Sequence, residues 1–301
     1  MWGLACAGGA VYGWFVPISD AARSDLASFF ESRDDVAFAF LFGSQATGHE
    51  TDESDVDIAV YLIDPAPAAR GPGPLEIETT EAFRGEKEIW NLVEGIVANE
   101  VDLVVLNRAA TPLAASVIAD GEPLVVKDEA LLRRFDLAVS KDAEEFAAFA
   151  NDFAEVKERS QSLSPTDRVR LLRSLDFLEE ELGDHADFQG ATKQGYIADR
   201  PFRRNLERWV ENIVNATIDI AKTILASEPA RMPRSYREAV ENLGSLAGFD
   251  EKICDDLADF TRLRNMLAHE YLDLRFSRIR DFIDESPALY AGFMKSARDY
   301  L

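Results

Sequence analysis

The chain has 301 residues, with 55 acidic against 32 basic side chains and a formal net charge of −23. That length suggests two domains, each with its own core. The charge excludes a protein that coats DNA or RNA through a generally basic surface, though not an enzyme with a small basic RNA site.

Residues 1–17 form an apolar extension interrupted by Gly8, Gly9 and Gly13. It is shorter than the ~20 residues of a spanning helix and lacks the basic start of a secretion signal, so no membrane association is expected. Cys6 and Cys254 are far apart and make no C-x-x-C pair, which argues against a disulfide framework or zinc site and for a cytoplasmic location. The basic residues divide into 24 Arg and 8 Lys. Abundant acid with little lysine suits a salty, halophile-like cytoplasm, where ions screen self-repulsion.

Short β-branched and aromatic runs at 36–42, 57–63 and 101–106 predict strands. Helical patterns at 20–32, 83–98 and 111–119 lie around them, and a Pro/Ala/Gly-rich loop occupies 64–74. This part is α/β, a mixed sheet with flanking helices. From Asp128 onward only helices are predicted, at 128–160, 165–183, 200–227, 234–246, 251–270 and 276–300. Ser164-Pro165-Thr166-Asp167 supplies an N-cap, a proline in the first turn and an acid. The division is therefore 1–17, an α/β domain at 18–160, and a helical bundle at 161–301, with helix 128–160 closing the first domain or bridging both. Residues 1–160 hold 12 basic and 30 acidic side chains, net −18; residues 161–301 hold 20 and 25, net −5. One predicted helix carries Arg200, Arg203, Arg204 and Arg208, either as a solvated face or as a local phosphate-binding surface.

Gly43-Ser44 ends the first strand, and Asp55-Val56-Asp57 opens the next. A glycine lets a backbone amide approach a phosphate, and the serine hydroxyl adds a donor. Alternate strand residues share a face, so Asp55 and Asp57 project together, and Asp102 on a later strand can join them. Clustered carboxylates call for a cation, and oxygen ligands beside substrate phosphates suit Mg²⁺. The spacing does not fit a calcium-binding EF-hand loop. The arrangement resembles the minimal nucleotidyltransferases of the DNA polymerase β superfamily, over roughly residues 18–155. The resemblance implies that Gly43 and Ser44 hold the nucleotide phosphates and that Asp55 and Asp57 bind Mg²⁺. It implies that Asp102 is the third catalytic acid, ligating metal or helping to deprotonate the acceptor.

Near the C-terminus stands Arg262-Leu263-Arg264-Asn265-Met266-Leu267-Ala268-His269-Glu270-Tyr271. Arginine can hold a phosphate and histidine can move protons near neutral pH, which suffices for metal-free RNA cleavage through the ribose 2′-hydroxyl. On one helix Arg264 and His269 lie about 140° apart, so two copies across a two-fold axis would complete the cleft, and a homodimer is expected. The pattern R-x4-H-x-Y in an all-helical stretch resembles the HEPN ribonucleases. More narrowly, it resembles the toxin of type VII toxin–antitoxin pairs, whose antitoxin is a minimal nucleotidyltransferase. The likeness extends over 165–301, including Asn205-Leu206-Glu207 through Asp219-Ile220-Ala221 and Pro233-Arg234-Ser235-Tyr236-Arg237. It implies that Arg264 and His269 are the ribonuclease residues, with Asn265 in support. It also implies that Tyr271 accepts AMP from ATP, silencing the nuclease. The departure is that both partners lie in one polypeptide.

The expected function is thus a single-chain toxin–antitoxin-like enzyme with RNA as substrate, no DNA partner, and Mg²⁺ and ATP as cofactors. The alternatives are a nucleotidyltransferase for a small molecule such as an aminoglycoside, and a helical module that only binds RNA or nucleotide and dimerises.

Overall fold

The computed structural model describes residues 18–43, 56–63, 75–80, 82–159, 162–269 and 272–301. The extension 1–17, Ser44, Asp55 and Tyr271 lie outside the described residues. The chain divides into two compact units. The first comprises Met1–Pro65, Ala82–Val105 and Val117–Asp128; the second comprises Ala66–Glu81, Leu106–Ser116 and Glu129–Leu301.

In the first unit, helix α1 (Asp20–Glu31) starts at Ser19, whose side chain accepts the Ala22 amide, a standard N-cap that satisfies an orphan donor. Strands β1 (Val36–Phe42), β2 (Val56–Leu62), β3 (Val101–Val105) and β4 (Glu122–Val126) form one sheet in the order β3-β2-β1-β4. β1 pairs antiparallel with β2 and β4, whereas β2 and β3 run parallel. The sheet is therefore mixed, as expected. A parallel pair needs a crossover, and helix α2 (Glu86–Val97) lies within it. Val56, Ile58, Val60 and Leu62 alternate onto one face, where they pack with Leu26 and Phe30 of α1 and Ile89 and Val93 of α2. Phe38, Phe40 and Tyr61 occupy the opposite face, the Phe38 and Tyr61 rings stacked at 4.8 Å. Strand β4 follows helix α3 (Thr111–Asp120) and is absent from the sequence reading. Its Glu-Pro start and five-residue length give little strand signal until it pairs with β1.

The second unit is helical: α4 (Glu129–Arg159), α5 (Pro165–Gly183), α6 (His185–Phe188), α7 (Lys193–Ala198), α8 (Arg200–Ala226), α9 (Tyr236–Glu241), α10 (Glu251–Phe260), α11 (Leu263–His269) and α12 (Leu272–Asp299). A 3₁₀ turn, Asn242–Ser245, follows α9. The predicted cap at Ser164-Pro165 is present, with Ser164 accepting the Asp167 amide at 3.2 Å. Its core gathers Trp209, Ile213 and Ile220 of α8, Leu171 and Leu175 of α5, and Phe282 and Phe293 of α12. Phe146, Phe149, Phe153 and Val156 of α4 join that core. Helix α4, expected to close the first domain or bridge both, is grouped here with the helices it packs against. The single helix expected at 251–270 is two. Thr261 and Arg262 donate to carbonyls three residues back, and the Thr261 hydroxyl also bonds Ala258 O at 2.7 Å. Such back-bonding competes with regular helix hydrogen bonds. Among the described residues no helix is long and apolar enough to cross a membrane.

One proline is built into this unit at some cost. Pro287 lies inside α12 and cannot donate to Ile283 O, four residues earlier. His185 of α6 replaces the missing donor, its Nε2 standing 2.8 Å from that oxygen. A carbonyl can only accept, so Nε2 carries the proton. Substituting His185→Ala is expected to cost about 1–3 kcal/mol by stranding the carbonyl. Pro287→Ala on top of it should recover most of the loss, because the exposed position regains its amide donor. A double-mutant cycle of urea unfolding checks this, and additive effects would contradict it.

Candidate active sites

The first site is set by strand register. Asp57 faces Phe42 across the antiparallel pair and Asp102 across the parallel one. Val56 and Ile58 point into the helix-covered core, as do Val101 and Leu103, so Asp57 and Asp102 both face the opposite side. Register partners on neighbouring strands lie about 5 Å apart at Cα. Asp57 is half-buried and Asp102 exposed.

Gly43 closes β1 with φ +70°, a backbone that side chains resist. A Cβ at this position would sit 2.0 Å from Asp57 Oδ2. The close approach that this glycine demonstrably serves is thus to the Asp57 carboxylate. Gly43, Asp57 and Asp102 are brought together, while Ser44 and Asp55 lie outside the described residues. The donor set is all oxygen, and two adjacent carboxylates repel unless a cation or proton separates them. Asp57 and Asp102 are the described residues that could hold a hard divalent ion. Among the described residues no group of three or more His, Cys, Asp or Glu forms such a cluster.

The second site lies around Arg264 in α11. Its guanidinium stacks 4.4 Å from the centroid of the Tyr236 ring, and Nη2 donates to Glu145 Oε2 at 2.5 Å. Burial works against the charge, but Tyr236, Asp142 and Glu145 outweigh it and hold the group above its usual range. Burial likewise pushes the Tyr236 phenol up. Nη1 is buried and has no hydrogen-bond partner among the described residues. Among the described residues Arg264 is thus held by Glu145 and Tyr236, and its planar guanidinium is a fork of the kind that suits an oxyanion. His269 and Asn265 lie on the same short helix; their side chains, like all of Tyr271, lie outside what is described. Tyr236 lies in a stretch that carries the sequence resemblance, whereas Glu145 is not flagged by the sequence. Glu145 is 119 residues from Arg264, and no local motif records that pairing.

A buried acid stands near by. Glu78 has φ +49°, unusual for a non-glycine residue. Its Oε1 accepts the Thr111 amide at 3.0 Å. The neighbouring Thr79 amide donates to Asn107 O at 2.9 Å, and Thr79 Oγ1 accepts from Arg262 at 3.4 Å. Burial chiefly, with Asp142 adding, pushes the Glu78 carboxyl up to about 7, against the pull of the Thr111 amide, Arg237 and Arg262.

Comparison with known proteins separates the halves in the same way. Residues 24–130 match the family described as "Polymerase beta, Nucleotidyltransferase", and residues 174–295 match "Ribonuclease HepT-like". The chain thus joins a nucleotidyltransferase segment to a ribonuclease-like segment. Gly43, Asp57 and Asp102 fall in the first match, and Arg264 and His269 in the second. No curated protein matches. A solved chain from the "Crystal structure of the toxin-antitoxin with AMP-PNP" is 20% identical, covering 44% of this chain and 95% of that one, with a TM-score of 0.34.

Two predictions follow from these geometries. Gly43→Ala should abolish nucleotidyl transfer, since the new methyl needs the space of the Asp57 carboxylate. Gly95→Ala in α2, with nothing within 4 Å, should be silent or slightly stabilising; equal activity in both variants would contradict the cradle. Glu78, raised above its unfolded value of 4.5, keeps a proton in the folded state that the unfolded chain releases. Stability should therefore fall as pH rises from about 4.5 to about 7, by on the order of 3 kcal/mol in total. Urea unfolding of Glu78→Gln across that range should lack this component of the slope.

Proposed function

We propose that this chain is a single-chain toxin–antitoxin-like enzyme. Its first half transfers AMP from ATP to Tyr271, and this mark silences a metal-independent ribonuclease in its second half. The observation that carries the reading is the in-register pair Asp57–Asp102 folded against Gly43, in a segment matching nucleotidyltransferases. The pairing of Arg264 with Glu145 and Tyr236 in a segment matching HepT-like ribonucleases supports the second half.

In the transfer step the Tyr271 oxygen attacks the α-phosphorus of ATP. The bond from that phosphorus to the bridging oxygen breaks, and pyrophosphate leaves. Asp102 takes the phenolic proton, and Gly43 and Ser44 hold the nucleotide phosphates. Asp55, Asp57 and Asp102 are the residues that would hold Mg²⁺, which when bound neutralises phosphate charge and stabilises the leaving oxygen. In RNA cleavage the ribose 2′-oxygen attacks the adjacent phosphorus and the 5′-oxygen leaves, giving a cyclic phosphate. His269 moves the proton, Arg264 holds the phosphate, and Asn265 supports them. Apposition of two copies across a two-fold axis would bring Arg264 of one protomer toward His269 of its partner. AMP on Tyr271 adds negative charge and bulk at this site and competes with RNA phosphate for it. A cytoplasmic setting suits ATP as donor and RNA as target.

Intact mass after incubation with ATP and Mg²⁺ tests the reading. The wild-type chain should gain steps of about 329 Da, the AMP increment. Asp55→Asn/Asp57→Asn and Tyr271→Phe should gain none, and AMP-bearing protein should cleave RNA more slowly than the unmodified chain. Full modification of Tyr271→Phe would overturn the assignment of the acceptor and favour another substrate.

A further inference from the structure

The first turns of α8 carry Arg200, Arg203, Arg204 and Arg208. Arg200, Arg204 and Arg208 are exposed and recur every four residues. They step about 6 Å along the helix axis and drift about 40° at each step, so they form one stripe. Arg208 pairs with Glu211 at 3.0 Å on the surface, a contact of small worth that a phosphate can displace. Arg200 and Arg204 make no hydrogen bond or ion pair among the described residues. The nearest acids on the same elements are engaged: Asp199 caps α8 by accepting the Phe202 amide at 3.0 Å, and Glu207 accepts the Tyr196 hydroxyl at 2.5 Å.

The position of this stripe is as telling as its charge. Arg203 lies over the Tyr196 ring at 5.9 Å and donates to the Tyr196 and Ile197 carbonyls at 3.3 and 3.4 Å. Tyr196 in turn packs on Phe276 with ring centroids 5.3 Å apart. Phe276 is about 6 Å along the axis from the start of α12, and α12 begins directly behind the Arg264–Tyr271 motif. α11, which bears Arg264 and His269, also packs on α8. The first turns of α8 thus meet the first turns of α12, whereas Arg264, through Tyr236 and Phe149, lies toward Lys222, about 27 Å further along α8 than Arg204. Near physiological ionic strength charges are screened beyond about 8 Å. Residues 199–211 hold four arginines against three acids, which keep their charge when they accept hydrogen bonds, so the segment is slightly positive in a chain of net charge −23.

We propose that the N-terminal turns of α8 are the docking strip for a single-stranded RNA substrate. Arg200 and Arg204 engage consecutive backbone phosphates of the strand, a few nucleotides from the one held at Arg264. The claim rests on the ribonuclease reading of the second half and extends it to the way the strand is held. Two exposed charges at helical spacing read a flexible phosphate backbone without reading base edges, so the strip supplies affinity and leaves sequence choice to other groups.

Binding of a fluorescent 2′-O-methyl oligouridylate, which has no 2′-hydroxyl to attack, is measured by anisotropy between about 50 and 200 mM salt. Arg200→Gln/Arg204→Gln should weaken binding about tenfold at the low end. It should also flatten the slope of log affinity against log salt by about 1.4, or 0.7 for each lost phosphate contact. KM for cleavable RNA should rise in proportion with kcat unchanged, whereas the exposed Arg231→Gln should alter neither. Unchanged affinity and slope in the double variant, or no binding by the wild type, overturns the strip. Cleavage with normal KM in the double variant overturns the strip and leaves the ribonuclease reading standing. Arginine-dependent binding without cleavage supports the strip and removes the ribonuclease reading.

Discussion

The parallel pairing of β2 with β3 is the constraint on which the first half is organised. It places Asp57 opposite Asp102, and it is held by hydrophobic alternation rather than by the acids themselves. Val56, Ile58, Val101 and Leu103 are buried on one face. A slip of one residue would drive a carboxylate into that core and an aliphatic chain out of it. Burial of these side chains, at roughly 1.5–3 kcal/mol each, outweighs the repulsion of two carboxylates at a half-open sheet edge. The site is thus assembled by the core behind it. Gly43 completes the arrangement, because any side chain there would compete with Asp57 for the same volume.

Parallel pairing has a second consequence. The chain must travel from the end of β2 back to the start of β3, and only part of that crossover is α2. Residues 66–81 are counted with the helical unit. Within that unit Leu75, Ile77, Glu78 and Thr79 are buried, and Thr79 meets Arg262, two residues before Arg264. Residues 76–79, beyond the loop expected at 64–74, are therefore held by hydrogen bonds from Asn107, Thr111 and Arg262. The left-handed backbone of Glu78 is the strain that this tethering sustains.

What the sequence made legible was whatever is encoded at short range. The strands at 36–42 and 101–105, the Ser164-Pro165 cap and the helices at 165–183 and 200–226 follow from periodicity and capping, and they stand where expected. Strand alternation and a later acid-bearing strand are what bring Asp57 and Asp102 together in the sequence, and the register places the two opposite each other; Gly43 stands out only as a glycine at a strand end. Long-range partners were not legible. Glu145 reaches Arg264 across 119 residues, and His185 answers the carbonyl freed by Pro287 across 98. The membership of α4 depends on Phe149 and Phe153 finding the helical core, which no local pattern states. The break at Thr261 arises from a hydroxyl competing for a helical carbonyl, and serine and threonine occur too often inside helices for that to be anticipated.

The excess of arginine over lysine gains a structural meaning from these contacts. Arg33 binds Asp35 through two nitrogens, at 2.8 and 2.6 Å, and Glu88 through a third at 3.1 Å. Arg280 holds Asp284 while donating to the carbonyls of Gln189 and Ala191. Each joins separate segments through one rigid fork, which an ammonium group can match only by swinging on a flexible stem. Lys222 shows the other solution. Nearly buried, it needs both Asp152 and Asp219, at 3.0 and 2.8 Å, to balance a single charge. In a chain with so many carboxylates, arginine lets one cation serve two or three acceptors without loss of geometry. Arg264 shows the same property: Glu145 accepts from one nitrogen while the Tyr236 ring fixes the plane of the guanidinium.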